Sequence, residues 1–292
     1  MGASKREIGW LQRGAQPTWD GTPALLALYE RARREPAWFP AALREHVFLF
    51  VPGIFTERYP LYFFQNRRRL EALGLRLREV PIRTEAPGVE CARVIRDAVL
   101  AVAAEGRRCV LVGHSKGPLD AHAALVLHPE TVPHTRALVS LQAPFGGTPL
   151  ATDLEAKPLL RKLVHGAVRG LFGGSPQSFT DLTYAAREKF LERHGSTCPV
   201  PALSLVATTA RAAWPLEHTR RYLEHEYGAQ SDGFVAAVDA AIPGGMSVRL
   251  DGLDHAGLAL RWLGRSAFEP APLTQALLAL VADLPLRPTG AG

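Results

Sequence analysis

The sequence predicts an α/β protein, with a mostly parallel sheet, helices on both faces and a helical cap inserted in its second half. Three observations carry that reading. Short apolar runs of buried-strand type, such as His46 to Val51 and Cys109 to Val112, alternate with longer segments of helical periodicity. One run leads into Gly113-His114-Ser115-Lys116-Gly117, a turn bounded by glycines that opens onto a helix. Between residues 151 and 198 the alternation stops and helical segments follow one another.

The elements follow in order. Residues 1–45 carry little signal beyond a helix at Ala24 to Arg33, ended by Pro36, so the sheet is expected to begin at residue 46. His46 to Val51 is the first strand, and it runs into the tight turn Pro52-Gly53-Ile54-Phe55-Thr56-Glu57. Leu61 to Leu73 reads as a helix and Leu75 to Ile82 as an alternating strand. Gly88 to Ala104 is helical, with Val94, Ile95, Ala98, Val99 and Val102 at three- and four-residue steps. The strand before Gly113 and a helix from Pro118 to Val126 come next, the proline being tolerated in a first turn. Ala137 to Gln142 is a further strand, leaving through Ala143-Pro144-Phe145-Gly146-Gly147-Thr148-Pro149-Leu150.

Lys157 to Phe172 is amphipathic, and a second helix spans roughly Thr180 to Glu192; together they make the candidate cap. Pro201 to Thr209 resumes the sheet, residues 211–228 are charged and helical, and Ser231 to Val235 is a loop. Met246 to Leu250 is the last strand, followed by a loop with His255 and a closing helix from about Pro272 to Leu284. No internal repeat or linker interrupts the 292 residues, which therefore read as one domain with a cap insertion.

Gly-x-Ser-x-Gly between a strand and a helix is the nucleophile elbow, a sharp turn that lifts a serine hydroxyl above the C-terminal edge of a sheet. Gly113 and Gly117 suit it because neighbouring backbone passes too close for a Cβ. A serine is a weak nucleophile at neutral pH, so it needs a base within hydrogen-bond reach and an acid to orient that base. In the fold that carries this elbow the chain order is serine, acid, histidine. His255, just after the last strand, is the expected base.

Asp232, in its glycine-containing loop, is the expected acid, with Asp239, Asp251 and Asp254 as competitors. Asp254 would have to point back along its own loop, and Asp251 precedes a turn glycine. His114 cannot turn back to its neighbour's hydroxyl. Two backbone donors are needed for the developing oxyanion: the Lys116 amide, and that of Ile54 with Phe55 as the alternative. The Lys116 side chain, four residues before Asp120, is expected to pair with it and so to be structural. Phe55 and Phe145 are the expected contacts for an apolar acyl group.

With these pieces in place, the chain resembles the bacterial triacylglycerol lipases and esterases of the α/β-hydrolase fold over roughly residues 46–260. The resemblance rests on the elbow strand, on Ala143 to Leu150, on the stretch Ser178 to Phe190, on Ser231-Asp232-Gly233-Phe234-Val235 and on His255, in the family's order and with similar spacing. It implies an α/β-hydrolase fold, Asp232 and His255 as the catalytic acid and base, and a serine carboxylic-ester hydrolase. The same triad also serves acyltransferases and polyester depolymerases, and a hydrolase fold that only binds a lipid or a protein partner is the rival from another class.

Departures from the family are informative. Its first oxyanion turn usually starts His-Gly, where this chain has Pro52-Gly53. Its structural calcium uses an aspartate two residues after the catalytic histidine, where this chain has Gly257, so no metal and no cofactor is expected. Met1 to Glu7 is polar with no apolar run behind it, unlike a secretion signal, and cytoplasmic placement is the expectation.

The net charge of +6 comes mostly from dispersed arginines, with one cluster at Arg67 to Arg69. That distribution lacks the dense stripe and module of a nucleic-acid binder but is compatible with transient contact with an anionic lipid surface. No stretch approaches the ~18 apolar residues of a membrane span. The expected partner is a small-molecule or lipid ester. Three cysteines without metal spacing, Cys91, Cys109 and Cys198, read as buried thiols for the first two at least.

Overall fold

In the computed structural model of the protein, residues 7–54, 56, 61–157, 177–214, 216–260 and 263–285 are described. Among the described residues, seven strands form one sheet: β1 (Trp19–Asp20), β2 (Val47–Val51), β3 (Arg76–Glu79), β4 (Cys109–His114), β5 (Thr135–Leu141), β6 (Ala202–Thr208) and β7 (Met246–Asp251). Their spatial order is β1-β7-β6-β5-β4-β2-β3, and every pairing is parallel. The helices are α1 (Thr22–Arg34), α2 (Phe64–Ala72), α3 (Gly88–Ala104), α4 (Gly117–Leu127), α5 (Pro149–Ala156), α6 (Gln177–Thr180), α7 (Tyr184–His194), α8 (Leu216–Tyr227) and α9 (Pro270–Ala279).

Strand alternation sorts the apolar side chains onto two faces. Phe48, Phe50, Val110, Val112, Val139, Leu205 and Val248 point to one face, where they pack with Leu25 of α1, Leu70 of α2 and Leu273 and Leu277 of α9. Val47, Leu49, Leu111 and Leu138 point to the other, against Ile95 and Val99 of α3 and Ala121 and Ala124 of α4. Covering both faces is what lets the central strands be apolar throughout, as the sequence indicates. Cys91, Cys109 and Cys198 are all buried.

The sheet does not begin at residue 46. Two residues near the N-terminus, Trp19 and Asp20, pair with Met246 and Ser247 at the sheet edge, flanked by Trp19 N–H to Gly245 O at 3.2 Å and Gly21 N–H to Ser247 O at 2.9 Å. Both strand residues are exposed, so no buried apolar run announces them. The helix expected from Leu61 starts instead at Phe64, because Phe63 adopts φ 51°, outside the helical region.

Of the expected cap, residues 158–172 lie outside the described residues. The flanking parts are anchored to the body. Asp153 of α5 accepts the hydroxyls of Tyr222 and Tyr227, each at 2.6 Å. Tyr184 of α7 donates to Asp239 at 2.7 Å, and Thr183 caps α7 by accepting the Ala186 amide at 3.3 Å. Among the described residues, no helix is long and apolar enough to cross a membrane.

Candidate active site

Parallel strands bring their C-terminal ends to one edge, and β4, β5, β6 and β7 deliver the site there. Ser115 follows β4 directly with φ 58°, a left-handed conformation that costs a non-glycine residue about 1–3 kcal/mol. The turn is held by the Ser115 amide donating to Leu141 O at 3.0 Å. Its glycines are required by close approach. A Cβ on Gly117 would lie 2.2 Å from the Val51 carbonyl oxygen, and one on Gly113 would lie 2.5 Å from Pro118 N.

Ser115, His255 and Asp232 meet in a line. Ser115 Oγ is 3.0 Å from His255 Nε2, and His255 Nδ1 is 2.8 Å from Asp232 Oδ2. A carboxylate there fixes the proton on Nδ1, so Nε2 is left to accept from the serine hydroxyl. Asp232 is 1% exposed, so its charge must be compensated by hydrogen bonds. Its Oδ1 accepts the amides of Phe234 at 2.9 Å and Val235 at 2.8 Å, a tight turn permitted by Gly233 at φ 99°. The histidine's backbone is tied to the same residue, His255 N–H donating to Asp232 O at 2.9 Å.

Of the competing acids, Asp254 uses its carboxylate on backbone amides. It accepts the amides of Ala256, Ala213 and Arg265 at 3.1, 2.9 and 2.7 Å. Burial pushes its pKa up from the ordinary carboxylate value, against the pull of those amides. It therefore shapes the loop that carries His255. Asp239 lies elsewhere, accepting Gly9 N–H at 2.8 Å and Tyr184 O–H at 2.7 Å, and burial raises its pKa to about 7.

Gly53 packs onto the elbow. A Cβ there would sit 3.0 Å from His114 O and 3.1 Å from Ser115 Cβ, so the turn carrying the Ile54 amide lies against the serine. Thr56 stabilises that turn by donating its hydroxyl to Gly53 O at 2.9 Å. Phe55 lies outside the described residues. The Lys116 amide is at the N-cap of α4, where the helix field is positive. The Lys116 side chain points away from the serine and pairs with Asp120 at 2.6 Å, both groups being almost fully buried. Burial works against the lysine's charge, but Asp120, Cys91 and Asp181 together outweigh it and the lysine pKa is raised.

Phe145, expected against the acyl group, is instead fully buried. Its ring stands edge-on to His122 at 5.0 Å with the Arg187 guanidinium 5.3 Å away, and its carbonyl accepts Arg187 Nε at 2.9 Å. It belongs to the core beneath the site. The ring beside the histidine is Phe234, whose centroid is 4.9 Å from that of His255.

Two features escape a reading of the sequence. Gln142, fully buried with φ 50°, donates Nε2 to Asp232 Oδ2 and to Asp254 O, each at 3.0 Å. The signal for it is a lone amide at the end of an otherwise apolar strand. His114 turns its ring towards Tyr62 and the His255 backbone, contacts between segments distant in sequence.

The fold is an α/β-hydrolase fold, and solved structures share it. A metagenomic carboxyl esterase superposes with a TM-score of 0.77 at 23% identity, covering 91% of this chain and 93% of its own. A lipase of Bacillus licheniformis in mature form matches at 0.59 and 17% identity, over 73% of this chain and 85% of its own. Lipase 1 of Pelosinus fermentans matches at 0.59 and 10% identity, over 82% and 98%. At these identities the likeness is one of fold. No protein-family model and no curated protein matches the sequence.

Proposed function

We propose that the protein is a serine carboxylic-ester hydrolase of the lipase and esterase type, acting on esters with an apolar acyl group. The observation that carries the proposal is the unbroken line from Asp232 Oδ2 through both nitrogens of His255 to Ser115 Oγ, with contacts of 2.8 and 3.0 Å. The esterases and lipases that share the fold lend it support.

In this reading Ser115 Oγ attacks the acyl carbon while His255 Nε2 takes the hydroxyl proton. Asp232 keeps the imidazole in the Nδ1–H tautomer and stabilises the imidazolium. The amides of Ile54 and Lys116 receive the oxyanion, each worth on the order of 10²–10³ in rate. The histidine proton then passes to the leaving alkoxide, and the alcohol departs. Water, deprotonated by His255, resolves the acyl-enzyme and returns the proton to Ser115. The chemistry requires no metal or cofactor.

The test is a panel of soluble and emulsified esters of short to long acyl chain, run beside Ser115→Ala and a fluorophosphonate label. Turnover and labelling that both vanish in Ser115→Ala are expected. A folded wild-type protein that does not label at Ser115 would favour a binding role and sink the proposal. An added alcohol separates the uses of one acyl-enzyme: a new ester as the main product marks an acyltransferase.

A further inference from the structure

A chain of hydrogen bonds runs behind the serine, separate from the line that faces it. The Gly53 amide lies 3.3 Å from Tyr62 Oη, Tyr62 Oη lies 2.9 Å from His114 Nδ1, and His114 Nε2 lies 3.1 Å from the His255 carbonyl oxygen. The direction of every proton follows from the two ends. A carbonyl oxygen only accepts, so Nε2 of His114 carries the hydrogen and donates it. A neutral imidazole then has its lone pair on Nδ1, so Tyr62 must donate to it. The tyrosine oxygen keeps a lone pair for the Gly53 N–H. With His114 neutral, this is the arrangement that satisfies every contact of the chain.

We infer that Tyr62 and His114 are positioning residues that lock the turn carrying the Ile54 amide and the backbone of His255 into one register around Ser115. His114 is itself part of the elbow, adjacent to the serine, so both ends of the chain are referenced to the nucleophile. The inference rests on the ester-hydrolase reading of the site.

Three further observations support it. His114 is 6% exposed and burial, followed by the nearby His255, lowers its pKa to about 3, so it stays neutral at the pH where His255 works. Burial likewise pushes the Tyr62 hydroxyl up, which keeps it a donor. The start of α2 grips the histidine loop at two more points: Phe63 N–H donates to Ala259 O and Asn66 Nδ2 to Leu258 O, both at 2.9 Å. Phe63 reaches its carbonyl with the left-handed φ of 51° noted above, a strained conformation directly beside Tyr62.

The test uses the full chain with Tyr62→Phe, His114→Gln and His114→Leu. Tyr62→Phe removes both hydrogen bonds of the hydroxyl and is expected to lower both kcat and the rate of Ser115 phosphonylation by about tenfold with KM within about twofold. His114→Gln keeps an N–H for the His255 carbonyl and is expected to lose less than His114→Leu. Tyr62→Phe added to His114→Leu is expected to cost nothing more.

Nitrogen NMR of labelled histidine should show His114 as the neutral Nε2–H form from about pH 5 to about pH 9, and in Tyr62→Phe the same form with the Nδ1 resonance shifted by the loss of its donor. A folded Tyr62→Phe with wild-type kcat and phosphonylation rate would overturn the inference, as would an Nδ1–H form of His114 in the wild type. Should His114→Leu fail to fold, the tyrosine variant still decides. Failure of wild-type Ser115 to label would defeat the hydrolase reading itself, a result distinct from wild-type labelling with an indifferent Tyr62.

Discussion

The Gln142 side-chain amide and His255 Nδ1 both address the same oxygen of Asp232, Oδ2, at 3.0 and 2.8 Å. With Phe234 and Val235 on Oδ1, four donors hold one buried carboxylate. Hydrogen bonds to charged groups contribute about 1.5–3 kcal/mol. Gln142→Leu is therefore expected to lower kcat about ten- to a hundredfold with little change in KM, and Gln142→Glu to lower it more by setting a second carboxylate beside the first. Steady-state kinetics at several pH values check both.

The φ of 58° at Ser115 stores strain in the folded state. Ser115→Gly and Ser115→Ala both remove the hydroxyl, but only glycine relaxes the backbone. Ser115→Gly should therefore be more stable than Ser115→Ala by about 1 kcal/mol in urea unfolding. Equal stabilities would count against strain at the elbow.

Lys116 and Asp120 form an ion pair that is almost fully buried beside the nucleophile. Lys116→Met leaves a buried carboxylate without its partner, and a loss of about 3–5 kcal/mol in stability is expected. The turnover per titrated Ser115 should stay within about threefold, because the backbone amide at position 116 survives the change. Adding Asp120→Leu should return most of the lost stability. Denaturation curves and active-site titration separate the two effects, and a loss of turnover as large as that of Ser115→Ala would give the lysine a chemical role.

Burial raises the folded pKa of Asp239 from the ordinary carboxylate value to about 7. The folded state holds this proton more tightly than the unfolded chain. Stability from this group is therefore present at low pH and is lost as pH rises through about 4 to 7. Asp239→Asn should remove that dependence. The unfolding free energy of the variant minus that of the wild type is expected to grow between pH 4 and 7 by a few kcal/mol, about 1.4 per unit, and to level off above 7. A difference independent of pH would contradict the assignment.

A Cβ on Gly257 would lie 2.3 Å from the Arg265 carbonyl oxygen, so the position two residues after His255 has no room for an aspartate. Chelation with EDTA, followed by calcium, is expected to leave turnover unchanged at each step. Activity lost to the chelator and restored by calcium would show a metal requirement.

What could be read in the sequence was what strand periodicity and chain order control. Val110 to Val112, the two elbow glycines and the loops holding Asp232 and His255 each carry a local pattern. The fold then brings these residues within 3.0 Å contacts. Contacts fixed by tertiary packing left no such trace. Gln142 is a single amide whose partner is far along the chain, and Tyr62 is one tyrosine in an aromatic run. Phe145 was misplaced because a turn rich in glycine and proline suggests exposure, whereas α4 and α7 close over it. The edge strand Trp19–Asp20 is short and exposed, and short exposed pairings have no hydrophobic signature.

That edge strand bears on how the chain is made. β1 precedes β7 in the chain and pairs with it, so this strand is synthesised well before its partner. An unpaired edge is an invitation to aggregate, and the risk is greatest while a chain is incomplete. In this protein the covering strand exists before the edge it will cover. When Met246 and Ser247 emerge, Trp19 and Asp20 have long been synthesised and need only swing into place. The partner for the β7 border is thus already at hand when β7 is made.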